Sequence, residues 1–212
     1  MGTILKGILG GFSGTVGTVV GGNWKGIDYM RSKSTKRSGK SSPAQLEQQA
    51  KFGMMIKFLR TFRELLKTSF NEFANGVTGP NVALSYNLLN AVQGDYPAVT
   101  INYPMVLLSH GNLTKPQAPL AKAGLAGKVD FKWTNNAGNS VTAATDNAVL
   151  VIYDPITKKA VYNMDGAKRT AESDLLNVPE FSGSAVETWI AFVSANGRSI
   201  SDSAYTGSVT VV

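Results

Sequence analysis

The sequence contains no cysteine and a single histidine, His110. Without thiols there can be no disulfide, no thiol nucleophile and no thiolate metal site. One imidazole leaves little material for a zinc site or a catalytic triad. No apolar stretch approaches the ~20 residues needed to span a bilayer. Met1–Val20 has one lysine and a mildly apolar run, but six glycines interrupt it, so it does not read as a signal peptide. These lacks predict a protein of the cytoplasm or of a virion, with no membrane span and no cofactor. What remains is globular in composition, with 43 % hydrophobic and 17 % charged residues. Its 212 residues suit one large domain or two small ones and can bury a core without covalent staples.

Acidic residues are scarce in one region only. Residues 1–67 carry 12 lysines and arginines against three acids, a net +9, whereas residues 68–212 carry 9 bases and 11 acids, a net −2. The basicity therefore belongs to the N-terminal third. It predicts a polyanion partner or an acidic neighbour in an assembly.

Residues 7–22 read GILGGFSGTVGTVVGG. The strand formers Val16, Thr18, Val19 and Val20 alternate with glycines, which predicts a short strand or hairpin arm suited to pairing with another edge. Residues 25–42 follow with six bases, one acid and no hydrophobic period after Met30, and read as a flexible basic arm. Ser42-Pro43-Ala44-Gln45 has the spacing of a capping box. The stripe Phe52, Met55, Ile56, Leu59, Phe62, Leu66, Phe70, Phe73 predicts one amphipathic helix ending at Asn75-Gly76. A second helix is predicted over Val82–Gln93, forming a hairpin with the first.

Four prolines punctuate residues 95–127, with one apolar strand predicted at Met105–Ser109 and a linker after Leu113. From about Ala118 the pattern becomes short strands and turns. Val129–Trp133 alternates with period two, Ala148–Tyr153 is a continuous apolar run, and Thr188–Ser194 and Ser208–Val212 complete the series around the turn Asn196-Gly197. Six or seven strands in this length predict a β-sandwich able to fold alone. This half resembles a fibronectin type III or immunoglobulin-like module, which implies Trp133 and Tyr153 in its core.

A narrower resemblance rests on Lys6-Gly7, Gly10-Gly11-Phe12-Ser13-Gly14-Thr15-Val16-Gly17, Trp24-Lys25-Gly26, Met30-Arg31, Gln49-Ala50-Lys51-Phe52 and Leu107-Leu108-Ser109-His110-Gly111. Together these resemble an uncharacterised family of Bacteroidota proteins of about this length. The resemblance covers most of the chain, is most specific in residues 6–31, and implies no catalytic or ligand-binding residues.

Most candidate motifs fail on their own terms. Gly39-Lys40-Ser41 matches the end of a phosphate-binding loop, but Ser34 stands where the loop needs its first glycine and no apolar strand precedes it. The glycine series at 11–22 lacks the spacing and the βαβ context of a dinucleotide site. His110 has no serine elbow and no carboxylate near it in sequence. Asp154 and Asp165 flank a hairpin, where aspartates serve turns more often than the paired-carboxylate chemistry of glycosidases.

The expectation is an α+β chain: a Gly-rich strand and basic arm over 1–42, a helical hairpin with a connecting strand over 43–117, and an immunoglobulin-like β-sandwich over 118–212. Its expected role is that of a non-enzymatic structural protein, self-assembling or virion-associated, with a second copy or other structural subunits as partners. Assembly is assigned to Phe12, Val16, Val20 and Trp24. The alternative is nucleic-acid binding by the basic arm, with Arg31, Lys33, Lys36, Arg37 and Lys40 meeting phosphates and Trp24 and Tyr29 stacking on bases.

Overall fold

The computed structural model describes residues 2–4, 7, 10–35, 39–74, 76–138 and 143–212. Lys36 and Arg37 of the basic arm, Asn75 of the expected helix stop and Lys6 lie outside the described residues. The chain divides into two compact units, residues 1–42 and 43–212.

The first unit is an antiparallel meander of four strands, β1 (Thr3–Ile4), β2 (Phe12–Val16), β3 (Val19–Trp24) and β4 (Ile27–Ser32), in that order. The expected flexible arm is therefore, over Ile27–Ser32, a strand. The turn explains why. Lys25 and Gly26 both have positive φ, 49° and 85°. Two consecutive residues of this kind form a turn whose twist matches paired strands, so β4 returns along β3. Gly21 is required by close packing, because a Cβ there would lie 2.3 Å from the Phe12 carbonyl oxygen and 2.6 Å from its ring.

The second unit has three layers. The helices α1 (Pro43–Arg60), α2 (Arg63–Ser69) and α3 (Gly79–Asn90) form one, followed by the two-residue pair β5 (Val92–Gln93) and β6 (Thr100–Ile101). The other layers are two antiparallel sheets. One is four-stranded, in the order β10 (Lys159–Asn163), β9 (Asn147–Asp154), β12 (Ala185–Val193), β13 (Ala204–Thr210); the other is three-stranded, in the order β11 (Ser173–Asn177), β8 (Lys128–Thr134), β7 (Gln117–Ala123).

Strand alternation sorts two cores. Phe131 and Trp133 of β8, Leu150 and Ile152 of β9, and Ile190 and Phe192 of β12 meet between the sheets. The intervening residues Val149, Val151 and Tyr153 of β9, and Trp189 and Ala191 of β12, face the other way and pack on Phe58, Phe62 and Leu66 of the helices. Strands β9 and β12 are thus covered on both faces, which is why Ala148–Tyr153 is continuously apolar. Trp133 lies inside the sandwich as expected; Tyr153 does not, and stacks edge-on to Phe58 at 4.9 Å beneath the helices. Residues 43–117 and 118–212 share this second core, so no compact unit ends near residue 117.

The single helix expected over 43–74 is two. Thr61 and Phe62 leave the α-helical pattern, with their N–H groups bonding three residues back to Phe58 and Leu59, and α2 starts at Arg63. The break lets Phe62, Leu65, Leu66 and Phe70 continue over the sheet. Phe58 and Leu65, absent from the expected stripe, are buried, while Phe52, Ile56 and Phe73, included in it, are exposed. The second helix runs three residues earlier than expected at each end, beginning at Gly79-Pro80.

Met105–Ser109 is not a strand. Tyr103–Met105 form a turn of 3-10 helix closed by the Val106 N–H on the Tyr103 carbonyl; Val106, Leu107 and Leu108 then run buried, the last two with side chains as backbone partners. Leu107 is bonded through both its N–H and its carbonyl to Asn87, at 2.9 Å each. The Leu108 N–H donates to Ser203 Oγ and its carbonyl accepts from Ser69 Oγ. The stretch after Leu113 opens with bridges from Asn112 and Leu113 to Ser201 rather than as a free linker.

Candidate assembly surface

Directly opposed residues of antiparallel strands share a face. The register of the meander places Ile4, Phe12, Val16, Val19 and Met30 on one face and Val20, Trp24, Ile27, Tyr29 and Arg31 on the other. The four expected assembly residues are therefore split, Phe12 and Val16 on one side, Val20 and Trp24 on the opposite one. Phe12 and Val20 are half-buried, and the Phe12 ring sits over Gly21. Val16 and Trp24 are exposed.

Sequence reasoning missed Ile27 and Met30, which are 69 % and 72 % exposed. The alternation of Ile27, Tyr29 and Arg31 with Asp28, Met30 and Ser32 was the available signal, hidden by the basic composition around it. Every residue of β4 is exposed, and among the described residues of the first unit Gly21 alone is buried. Among the described residues, no strand pairs with the outer edge of β4. The Lys33 N–H donates inward to the Thr18 carbonyl at 2.7 Å, so the alternate residues Asp28, Met30 and Ser32 direct their backbone groups outward.

Of the expected polyanion-binding residues, Arg31 shares its face with Tyr29 and Trp24, and Lys33 follows the end of β4. Lys40 is exposed just before α1. Lys36 and Arg37 lie outside the described residues.

Elsewhere, folding supplies His110 with the carboxylate that the neighbouring sequence lacks. Asp202, 92 positions away, places Oδ1 at 2.6 Å from His110 Nδ1. The same carboxylate accepts from the Gly111 N–H and pairs with Lys115. Burial would raise the Asp202 pKa, but the bonds from His110, Gly111 and Lys115 outweigh it and hold the carboxyl below its ordinary value. The His110 ring stacks on Phe73 at 4.1 Å, and its backbone N–H donates to the Ser69 carbonyl. This cluster fastens the end of α2 to the connection between β12 and β13.

Asp154 and Asp165 stand at opposite ends of the β9–β10 hairpin. Asp154 accepts from the Ile156 N–H and the Thr157 hydroxyl of its own turn, and Asp165 accepts from Asn147. They cannot share one glycosidic bond. A buried ion pair was not legible in the sequence. Arg169 is fully buried, 3.3 Å from Asp146, donates to Asn136 at 2.6 Å, and lies 3.7 Å above the Phe192 ring.

The family model described as a family of unknown function, DUF6266, matches residues 11–207. The chain belongs to this family. The DUF6266 match takes in β2 to β4 as well as the helical and sandwich layers, so it reaches across both units. No curated protein matches the sequence. Among solved structures, the fn3 domain of human collagen alpha-1(XX) chain is similar at 12 % identity, over 48 % of this chain and 89 % of that one, with a TM-score of 0.33.

Proposed function

We propose that this DUF6266 protein is a non-enzymatic structural subunit, self-assembling or virion-associated, which joins a second copy through its N-terminal meander. One observation carries the reading: the meander is a sheet with apolar side chains exposed on both faces and no buried side chain among its described residues. A four-stranded sheet with neither face covered cannot offset the entropy of ordering it. A long edge strand without proline is, in addition, a template for pairing with another chain. The sandwich of residues 118–212 is read as an immunoglobulin-like module of the fibronectin type III kind, in support of which stand its three-stranded and four-stranded sheets and the buried Trp133.

The test is light scattering of the purified protein with Val16→Asp and Met30→Asp introduced together. Both side chains are exposed in the single chain, so the melting temperature stays near that of the wild type while the assembly dissociates. A strict monomer for the wild type at high concentration sinks the reading.

The common face of Trp24, Tyr29 and Arg31 favours a second reading, in which that face stacks on the bases of a single-stranded nucleic acid. Affinity for an oligonucleotide would then fall with salt at a log–log slope of about −0.7 per phosphate contacted. Assembly by strand pairing is nearly insensitive to salt. Replacing Arg31, Lys33, Lys36, Arg37 and Lys40 by glutamine separates the two: it abolishes oligonucleotide binding in the second reading and leaves assembly largely intact in the first.

A further inference from the structure

Within the second unit, α1 and α3 lie antiparallel, and a groove follows the line between them. Two adjoining cavities of about 590 and 230 Å³ form it. Phe52 and Leu88 line the wider one; Ile56, Leu59 and Leu84 line the narrower. From Gln48 to Arg60 the helix rises ~18 Å at ~1.5 Å per residue, so the groove accepts about three turns of a helix.

The apolar side chains here are surplus to the core. Met55 and Phe58 face the sheet and are buried, whereas Phe52 and Ile56 on the groove side are exposed, and Leu89 is 82 % exposed. A contiguous apolar strip on a helix pair marks an interaction surface. The charged residues that line it have one sign. Arg60 and Arg63 stand at the narrow end without a salt bridge among the described residues, Arg63 beside Glu64, whose carboxylate Lys67 holds. Lys51, at the wide end, is held by Glu47 one turn away. No acidic residue lines either cavity.

We infer that this groove binds an amphipathic α-helix of a partner protein, apolar on one face and acidic at the end that meets Arg60 and Arg63. A helix in a groove anchors through side chains at i, i+3 or i+4, and i+7, a spacing that matches two cavities one above the other. The two guanidiniums select carboxylates, which they hold in bidentate pairs. A second copy docked by the same surface would bring no acidic lining residue to face the arginines. A bilayer is too flat to fill a concavity between two helices. The groove is lined by residues of the second unit alone, and the inference does not depend on the assembly reading.

The probe is a labelled 14-residue synthetic helix with leucines on one face and glutamates at one end, titrated with the full chain by fluorescence anisotropy. A companion peptide carries lysines in place of the glutamates. The acidic peptide is expected to bind saturably at micromolar concentration and about tenfold more tightly than the companion. Arg60→Glu with Arg63→Glu inverts that preference. Phe52→Ser with Leu89→Ser weakens both peptides; all four side chains project from the surface, and unchanged melting curves confirm that the variants fold. The inference is overturned by the absence of saturable binding of the acidic peptide, by equal affinity for the two peptides, or by a charge reversal without effect. Tighter binding to phosphatidylserine vesicles than to the peptide replaces the helix with a membrane. A change of oligomeric state in the Arg60→Glu, Arg63→Glu variant replaces it with a second copy.

Discussion

Asn87 occupies the place of a neighbouring strand. It is fully buried on α3, and its amide satisfies both backbone groups of Leu107 while also reaching the Ala83 carbonyl. Removing the amide strands a buried N–H and a buried carbonyl together. Asn87→Ala should therefore cost about 2–4 kcal/mol in urea unfolding, more than truncation of an exposed residue of the same helix such as Leu89. Arg169 is the second residue on which much depends. Its truncation leaves Asp146 as an unpaired charge in a dry site, so Arg169→Ala should cost about 3–5 kcal/mol. Replacing Arg169 and Asp146 together by apolar residues should recover much of that loss, because the isolated charge is what is costly.

Asp202 gives the same reasoning a pH axis. Its pKa is lowered on folding, so its contribution is present above the ordinary carboxylate value of 3.8 and is lost as the pH falls through the folded value. The stability difference between wild type and Asp202→Asn should accordingly shrink between about pH 5 and about pH 3. A difference that grows on acidification contradicts the bonds drawn to His110 and Lys115.

At the scale of elements, strand β9 decides the architecture. Its residues alternate between the sandwich interior and the helical layer, and both sides are apolar. A fragment of residues 118–212 thus carries a bare face containing Val149, Val151, Trp189 and Ala191, which α1 and α2 cover in the whole chain. It should fail to melt cooperatively and should bind a hydrophobic dye. Adding back residues 43–117 restores the second core and with it a cooperative transition. The broken helix belongs to the same logic: an unbroken helix would carry Leu66 and Phe70 away from the sheet.

For the molecule as a whole, the division after Ser42 separates a sheet without a core from a unit with two. Deleting residues 1–42 should leave the melting temperature within a few degrees of the full chain while abolishing assembly, a contrast that calorimetry and light scattering read on the same sample. The helical core also sets an alkaline limit. Burial, with the nearby Tyr103 and Asp154, pushes Tyr153 up to about 12. Its neutral form is favoured by folding, so that contribution holds below the ordinary tyrosine value of 10.0 and is lost as the pH rises toward 12. A spectrophotometric titration should show Tyr153 ionising only near the base transition.

What the sequence determined by itself was everything carried by local repetition. The period-two alternation of Val129–Trp133, the apolar run of β9 and the start of α1 at Pro43 are written in adjacent residues, because backbone sterics and the burial of each strand face act over a few positions. The basic first third was equally plain in composition. What tertiary structure alone decided depends on partners far apart in the chain. Asp202 reaches His110, Asn87 serves Leu107, and Arg169 meets Asp146 across a chain reversal, none with a short-range signature. Residues 27–32 of the basic arm became a strand because β3 pairs with them, overriding the polar, charged composition of the arm as a whole. Tyr153 turned toward the helices because a strand covered on both sides has two interiors, and nothing in its own residues says which neighbour covers which face.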